Sequence, residues 1–582
     1  MEREKILEQL RENPNVSVLV IGAGINGIGV FRDLALNGVD VVLVDRGDFC
    51  SGASAASSHM AHGGIRYLEN GEFRLVREAV QERNRLIENA PHIVRPLPTV
   101  IPIFKFFSGL LNAPLKFFNL LNRPSERGAL VIKLGLMLYD AFTLQKPQGT
   151  AGHQRTVPPH TLTGRTKSLQ QYPKLNSAIQ YTARYYDGQI LSPERLAVEL
   201  ILDAEAEGPH ARALNYASFT GIHNGIVTLR NKLPPSNPST SSGQRLPTFN
   251  FQPTTFNLQP KIIINATGPW IDPVNTALGL SRHYIGGTKG SHLVLNHPEL
   301  REAIGPNEFF FENSDGRIVL IFPFHDKVLI GASDIPIQNA DEARCTDEEI
   351  DYFLGMVARV FPNIHVGREH IVFRFSGVRP LAYAQAKTTG QLGRDHVIHE
   401  DQVDWIPVYS LVGGKWTTYR AFAEQATDKV LTALGRSRRT GTGSLSIGGG
   451  RNYPQTEQDK GEFIRKLGLP EEQAKRLFTR YGTRAALVAE YIRTGADAPL
   501  TANPAYTRRE VEFLVTHEKA VHLDDLLLRR STLAWLGQTT LSLAEELAEV
   551  MGNTLGWTDA QKTAEIQRTI KLLQDKHGVR LA

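Results

Sequence analysis

The sequence predicts an α/β fold: a Rossmann-type dinucleotide unit, a second mostly antiparallel domain, and an all-helical C-terminal part. Three observations predict it. Val18-Leu-Val-Ile, the glycine run Gly22-Ala-Gly24-Ile-Asn26-Gly27 and Val41-Val-Leu-Val-Asp45 follow one another as strand, turn into helix, and strand closing on an acid. Residues 280–360 carry alternating apolar runs such as Arg317-Ile-Val-Leu-Ile-Phe-Pro and Lys327-Val-Leu-Ile-Gly, the pattern of half-buried strands. From 456 to 582 nearly every stretch has helical periodicity, broken only by glycines and prolines.

Each part of the first unit has a mechanical reason. Gly22 allows the tight turn, Gly24 lets the backbone approach a pyrophosphate, and Gly27 lets the helix pack close to its strand. The helix start offers unpaired N–H groups to phosphate oxygens, and Asp45 stands where a carboxylate accepts from ribose hydroxyls. This much predicts a dinucleotide without separating NAD from FAD.

Before it, residues 1–13 read as a short polar helix. After it, the small-residue run 50–67 contains Ser57, Ser58, His59, His62, Gly63, Gly64, Arg66 and Tyr67 and suits backbone lying against a ligand. Residues 72–89 read as an amphipathic helix, and 191–207 as a helix of the nucleotide-binding part. In 100–142, apolar pairs alternate with lysines. Its stretch 103–127 fits either an interfacial membrane segment or buried helices. Residues 232–260 form a low-complexity polar insertion between strands. A buried strand then ends in Ala266-Thr267-Gly268, and another runs into Gly413-Gly414-Lys415-Trp-Thr417-Thr418 before a helix to about 434.

The chain of 582 residues suffices for two or three domains, and 41% hydrophobic with 21% charged residues is ordinary globular composition. A net charge of +5 gives no reason to expect nucleic acid as a partner. Two cysteines exclude a cysteine-ligated cluster within the chain and suit a reducing compartment. No metal-ligand cluster and no Ser-His-Asp order stand out. The charged start and the lack of an apolar run of about 20 residues predict a protein that is soluble or bound to a membrane surface.

A second glycine turn opening a helix, far along the chain, favours FAD, which is threaded between distant segments. With no second fingerprint for NAD, a single flavin reduced directly by substrate is expected. Arg66, Arg379 and Lys415 stand beside small-residue turns and would suit an anionic substrate. Hydride removal from an alcohol also needs a proton acceptor, for which His62 and His292 are candidates; Tyr67 would hydrogen-bond substrate or pack.

Ala61-His62-Gly-Gly-Ile-Arg66-Tyr67, Lys289-Gly-Ser-His292, Phe375-Ser-Gly-Val-Arg379-Pro and Gly413-Gly-Lys415-Trp-Thr-Thr-Tyr-Arg420, with the fingerprint and Asp524-Asp-Leu-Leu-Leu-Arg-Arg530, resemble the FAD-dependent glycerol-3-phosphate dehydrogenases from about residue 16 to 550. The resemblance implies a glutathione-reductase-like FAD-binding domain of the D-amino-acid-oxidase type (1–95, 190–275 and 365–445), a mixed-sheet substrate domain (96–189 and 276–364) and a C-terminal helical domain (456–582). It implies oxidation of glycerol 3-phosphate to dihydroxyacetone phosphate, with FAD taking the hydride and a membrane quinone as acceptor. An oxidase of the same fold, using oxygen, is the alternative. Arg66, Arg379 and Lys415 would line the substrate pocket with Tyr67 and His292, which sharpens the choice of base towards His292. The cofactor would contact Gly22, Gly24, Asn26, Gly27 and Asp45, residues 57–59 and 62–64, Ala266, Thr267, Gly268, and Gly413, Gly414, Lys415, Thr417 and Thr418. A cytoplasmic protein, peripheral on the inner face of the cell membrane, is implied, and a homodimer is compatible with it. Four positions depart from the family pattern: His59 for lysine, Ala332 and Ser333 for two threonines, and Asp45 for glutamate.

Overall fold

The structure is a computed structural model that describes residues 3–70, 72–106, 128–143, 156–233, 253–313, 317–383 and 395–581, without the side chains of Arg66, Glu69 and Asn70. Asn15–Ile21 and Val41–Val44 are parallel neighbours, from Val18 opposite Val41 to Ile21 opposite Val44, with the helix Ile25–Leu36 between them. On the other side of Asn15–Ile21 the sheet continues through Thr254–Asn265 to Ile406–Val412, all parallel, and the antiparallel strand Val397–Val403 closes that edge.

Both faces of this sheet are covered, which is why its strands read as unbroken apolar runs. One face carries the helices Ile25–Leu36, Pro193–Glu205 and Tyr419–Ala433, whose Phe31, Leu34, Leu200, Phe422 and Ala426 share a core. The other face carries Ile6, Leu7 and Leu10 of the helix Arg3–Glu12, together with the hairpin Ala217–His223 and Ile226–Asn231.

The strand expected from Lys261 starts seven residues earlier, at Thr254, where 254–258 pairs antiparallel with Ile226–Asn231. Only Phe256 and Leu258 point inward there, so half a strand looked like part of the polar insertion. Residues 234–252 of that insertion lie outside the described residues.

The second sheet has ten strands among the described residues, and all but one of its pairings are antiparallel. At its centre Thr288–Leu295 is buried along its whole length. Strand alternation sends Leu293 and Leu295 to one face, against the helices Pro298–Ile304 and Asp347–Val360. It sends His292 and Val294 to the other. Ile371–Arg379 lies beside it, Arg379 opposite Thr288, and so belongs to this sheet although it follows residue 365. On the face of Val294, Phe322, Phe324, Phe373 and Phe375 meet Trp535 and the C-terminal helices from Glu457–Lys466 to Asp559–His577 in one core.

The helix Ala129–Thr143 buries Ala129, Leu136, Tyr139 and Thr143 on one side and leaves Leu134, Met137 and Leu138 about half exposed on the other. Of the stretch 103–127, only 103–106 fall within the described residues. No helix among the described residues is long and apolar enough to cross a membrane.

Candidate functional site

Three adjacent parallel strands, Asn15–Ile21, Thr254–Asn265 and Ile406–Val412, end together, and each ends in a turn rich in glycine or small residues. This is the edge at which open α/β sheets bind ligands. Gly22 has φ +103°, and a Cβ there would lie 2.7 Å from the carbonyl oxygen of Ala266, so only glycine lets the first two turns approach. Asn265 holds the second turn by accepting from the Thr267 amide and hydroxyl at 3.2 and 2.6 Å. Gly413 and Gly414 both have positive φ, and Asn26 Nδ2 donates to the Gly413 carbonyl at 2.9 Å. The fingerprint helix is thereby tied to the last turn across 387 residues of chain.

These turns form the floor of a cavity of about 1470 Å³, larger than the usual pocket for one small ligand. Gly22, Gly24, Asn26, Asp45, Ser57, Ser58, His62, Gly64, Ala266, Thr267, Gly268, Gly413, Gly414, Lys415 and Thr417 line it. Asp45 accepts from the amides of Ala23 and Gly47 at 2.7 and 2.8 Å, which aims its carboxylate along the rim. Burial pushes its pKa up to about 6, against the two amide bonds. Asn26 Oδ1 and Thr417 Oγ1 are buried without a partner; buried polar atoms of this kind call for one, and both residues face the cavity. The residues therefore fit a dinucleotide the size of FAD.

The same cavity gathers His292, Arg379, Lys415, Tyr67 and His62. His292 Nε2 is 2.8 Å from Ser58 Oγ, and its ring stacks on Phe375 at 4.8 Å. Burial, and then the charge of Arg379 and the proximity of His59, hold its pKa well below the ordinary histidine value, so the ring is neutral. Gly331 is its strand partner, and any side chain there would overlap the imidazole. Arg379 is two-thirds buried and donates to Asp334 Oδ1 at 3.2 Å and to the Ser333 carbonyl at 3.1 Å. Lys415 Nζ donates to the Tyr67 hydroxyl at 2.7 Å. Tyr67 stands on the short helix Ile65–Asn70, just past the turn at Gly64.

Several expected site residues lie elsewhere. Gly27 packs beneath the floor: a Cβ there would overlap the Gly22 carbonyl. Gly63 is covered by Tyr139, whose hydroxyl a Cβ would strike; its amide donates to the buried Asp187 at 2.9 Å. Thr418 is buried at the start of the helix Tyr419–Ala433. Arg66 sits on the Ile65–Asn70 helix, but its side chain lies outside the described residues.

His59 is the clearest departure. With φ +53°, its ring is directed into the aromatic core, 5.1 Å from Phe324 and 5.0 Å from Trp535. Burial drives its pKa down to about 3. It is a core histidine rather than a ligand.

Two contributors were missed. Arg317 lines the cavity but precedes an ordinary strand, and only the placement of Ile318–Phe324 one strand removed from the His292 strand, across Lys327–Gly331, could reveal it. Ser54 accepts from the Ile25 amide at 2.9 Å, and its carbonyl accepts from Trp416 Nε1 at 2.9 Å; it was one serine among many in a small-residue run.

Comparison with known proteins agrees with this construction. Residues 17–428 match the family described as FAD dependent oxidoreductase, and residues 440–562 match the C-terminal domain of alpha-glycerophosphate oxidase. The chain is 32% identical to a glycerol-3-phosphate dehydrogenase of Synechocystis, over 96% of each chain. It is 28% identical to the mitochondrial glycerol-3-phosphate dehydrogenase of Mesocricetus auratus, over 99% of this chain and 75% of that one. Its fold superposes on the glycerol-3-phosphate dehydrogenase of Bacillus halodurans complexed with FAD, with TM-score 0.72, 22% identity, and coverage of 98% and 97%. A cradle of three turns sized for a dinucleotide, a neutral histidine and two cations on its wall, and a family match over most of the length lead to one statement: the chain belongs to the FAD-dependent oxidoreductases of the D-amino-acid-oxidase type, and FAD is its cofactor.

Proposed function

We propose that the protein oxidises the C2 hydroxyl of sn-glycerol 3-phosphate to dihydroxyacetone phosphate and passes the electrons to a membrane quinone. The observation that carries this reading is the neutral His292 beside Arg379, on the wall of the cavity whose floor is the FAD cradle. The names of the full-length relatives support the substrate. FAD, when bound, supplies the hydride acceptor. The protein's own groups do the rest. Arg379, Lys415 and Arg66 bind the phosphate or polarise the substrate oxygen. Tyr67 holds Lys415 in place, and His292 takes the hydroxyl proton. An anionic substrate offsets the charge of Arg379 and so raises the proton affinity of His292 when the proton must move. Anaerobic addition of glycerol 3-phosphate to the holoenzyme, without NAD, should bleach the visible flavin band. A band that persists would refute the reading.

The C-terminal match to an alpha-glycerophosphate oxidase favours one second reading, oxygen as acceptor. Under air, an oxidase would release one hydrogen peroxide per turnover. The quinone reading requires little peroxide and fast reduction of a soluble quinone analogue.

For the membrane we propose a peripheral attachment on the cytoplasmic side, near the helix Ala129–Thr143. Leu134 and Met137, 58% and 56% exposed, lie beside Lys133, the arrangement of an interfacial helix with cations at headgroup level. Leu134→Ser with Met137→Ser is expected to lower co-sedimentation with anionic liposomes several-fold; unchanged binding would move the attachment elsewhere. For the domain division we propose the boundaries given above, except that Ile371–Arg379 goes with the second sheet.

Asp45 is assigned to the ribose hydroxyls. Its pKa of about 6 exceeds the ordinary carboxylate value, so the charged form, the stronger acceptor, predominates only above about pH 6. Bound FAD favours the charged form, and affinity is lost as pH falls through 6. FAD titration of the apoprotein should show affinity constant above pH 7 and falling by about tenfold per unit well below pH 6. Asp45→Asn should flatten that dependence.

A further inference from the structure

We propose that residues 524–530 of the helical C-terminal part position Asp45, so that FAD occupancy and docking of the helical part are one linked equilibrium. The proposal rests on the assignment of Asp45 to the ribose.

The loop that carries Asp45 does not stand alone. Asp45 donates its amide to the Leu214 carbonyl at 3.0 Å, and its own carbonyl accepts from Ala217 at 2.7 Å. The Tyr216 amide donates to Gly47 at 2.9 Å. Residues 45–48 and 214–217 are thus zipped into one ledge on the rim of the cavity. Among the described residues no further parallel strand lies beyond Ala211–Leu214; from the hairpin side, Lys232 donates its amide to the Tyr216 carbonyl at 2.9 Å and its ammonium to the Arg46 carbonyl at 3.0 Å.

The helical part holds it as well, at both strands of the zip. Three residues past Asp45, Asp48 is wholly buried and accepts from Arg529 Nε at 2.6 Å and from Arg530 Nη1 and Nη2 at 2.8 and 3.0 Å. Opposite it, the Tyr216 hydroxyl donates to Asp525 Oδ1 at 2.6 Å, on a backbone with φ +55°. Arg529 also reaches Asp524 and Asp525, at 2.7 and 2.5 Å, so both anchors share one guanidinium. Asp48, Tyr216 and Arg529 themselves line the cavity.

Charges are an expensive way to dock a helical part already held by the aromatic core it shares with the second sheet around Trp535, since burying them offsets most of their attraction. Their attested benefit is register. Here the register fixed is that of the ledge, and through it the reach of Asp45. Coupling of this kind is reciprocal: a ledge that binds FAD better when docked must be docked more firmly when FAD is bound.

The test measures the FAD dissociation rate on dilution of the holoenzyme, by recovery of flavin fluorescence, for Asp48→Asn, Tyr216→Phe and Asp45→Asn. It is joined to amide exchange of 523–531 in the unaltered protein with and without FAD. The expected result is release about tenfold or more faster in Asp48→Asn, about three- to tenfold faster in Tyr216→Phe, and exchange in 523–531 slowed by FAD. If Asp48→Asn does not fold, Tyr216→Phe decides, because it removes one hydroxyl and keeps the ring. Unchanged release in Tyr216→Phe with exchange insensitive to FAD overturns the coupling, while faster release in Asp45→Asn would leave the ribose assignment standing. Unchanged release in Asp45→Asn removes that assignment, and the proposal with it.

Discussion

Replacing His292 by glutamine is expected to lower kcat by about 10²- to 10⁴-fold, the usual contribution of a positioned general base, with KM changed much less. Glutamine keeps a polar group within reach of Ser58, now 2.8 Å from Nε2, so the loop at 57–58 need not move. What it removes is a site for the proton. The pH profile separates this role from a packing role. His292 is neutral because burial, Arg379 and His59 all disfavour its charged form. The acid limb of kcat/KM should therefore lie below pH 6.5 in the unaltered enzyme and vanish in the variant. An unchanged kcat would assign the proton to another group, with His62, on the same cavity wall, next in line.

Much of this site was legible in the sequence because glycine is informative where backbones must touch. The turn at Gly22 needs φ +103° and a carbonyl 2.7 Å from its missing Cβ, and only glycine meets both demands. Gly413 and Gly414, at φ +81° and +88°, signal the last turn equally well. What lies between turns leaves no local trace. Asn26 was expected to touch cofactor, and it faces the cavity, but its bond to Gly413, 387 residues away, depends on Asn15–Ile21 and Ile406–Val412 both pairing with Thr254–Asn265.

His59 and Arg317 fail in opposite directions for one reason, that side-chain direction is tertiary. His59 lies in the ligand-facing run, yet a left-handed backbone sends its ring into the core. Arg317 lies in an unremarkable strand start, yet the sheet delivers it to the cavity. The second sheet itself was readable by alternation. The first half of Thr254–Asn265 was not, because its outward residues are polar and its inward ones few.

The helical part extends the point. Asp524-Asp-Leu-Leu-Leu-Arg-Arg530 reads in sequence as a charged helix end, for which solvent is the ordinary destination. In the fold Arg530 and Asp48 are both wholly buried. Burial at that cost is informative only once the partner is known, and the partner is the loop following Asp45. The fingerprint's terminal acid and the far end of the chain thus belong to one structural unit.

Arg379→Ala is the second large effect. KM for glycerol 3-phosphate should rise by about 10- to 100-fold, the range for losing a charge-assisted hydrogen bond, while FAD stays bound. The geometry makes the loss steeper than a missing contact. Arg379 donates to Asp334, so its removal leaves a carboxylate uncompensated where the phosphate is to sit. The double variant Arg379→Ala with Asp334→Asn should therefore recover part of the KM. Loss of substrate binding through collapse of the loop around Ser333, which Arg379 also holds, would show no such recovery. Gly290 bears on the same point: a Cβ there would overlap the guanidinium, so the strand of His292 is shaped to admit this arginine. Weak activity towards glycerol itself, which has no phosphate, should be insensitive to Arg379→Ala if the guanidinium binds phosphate, and should fall with it if the guanidinium instead polarises the C2 oxygen.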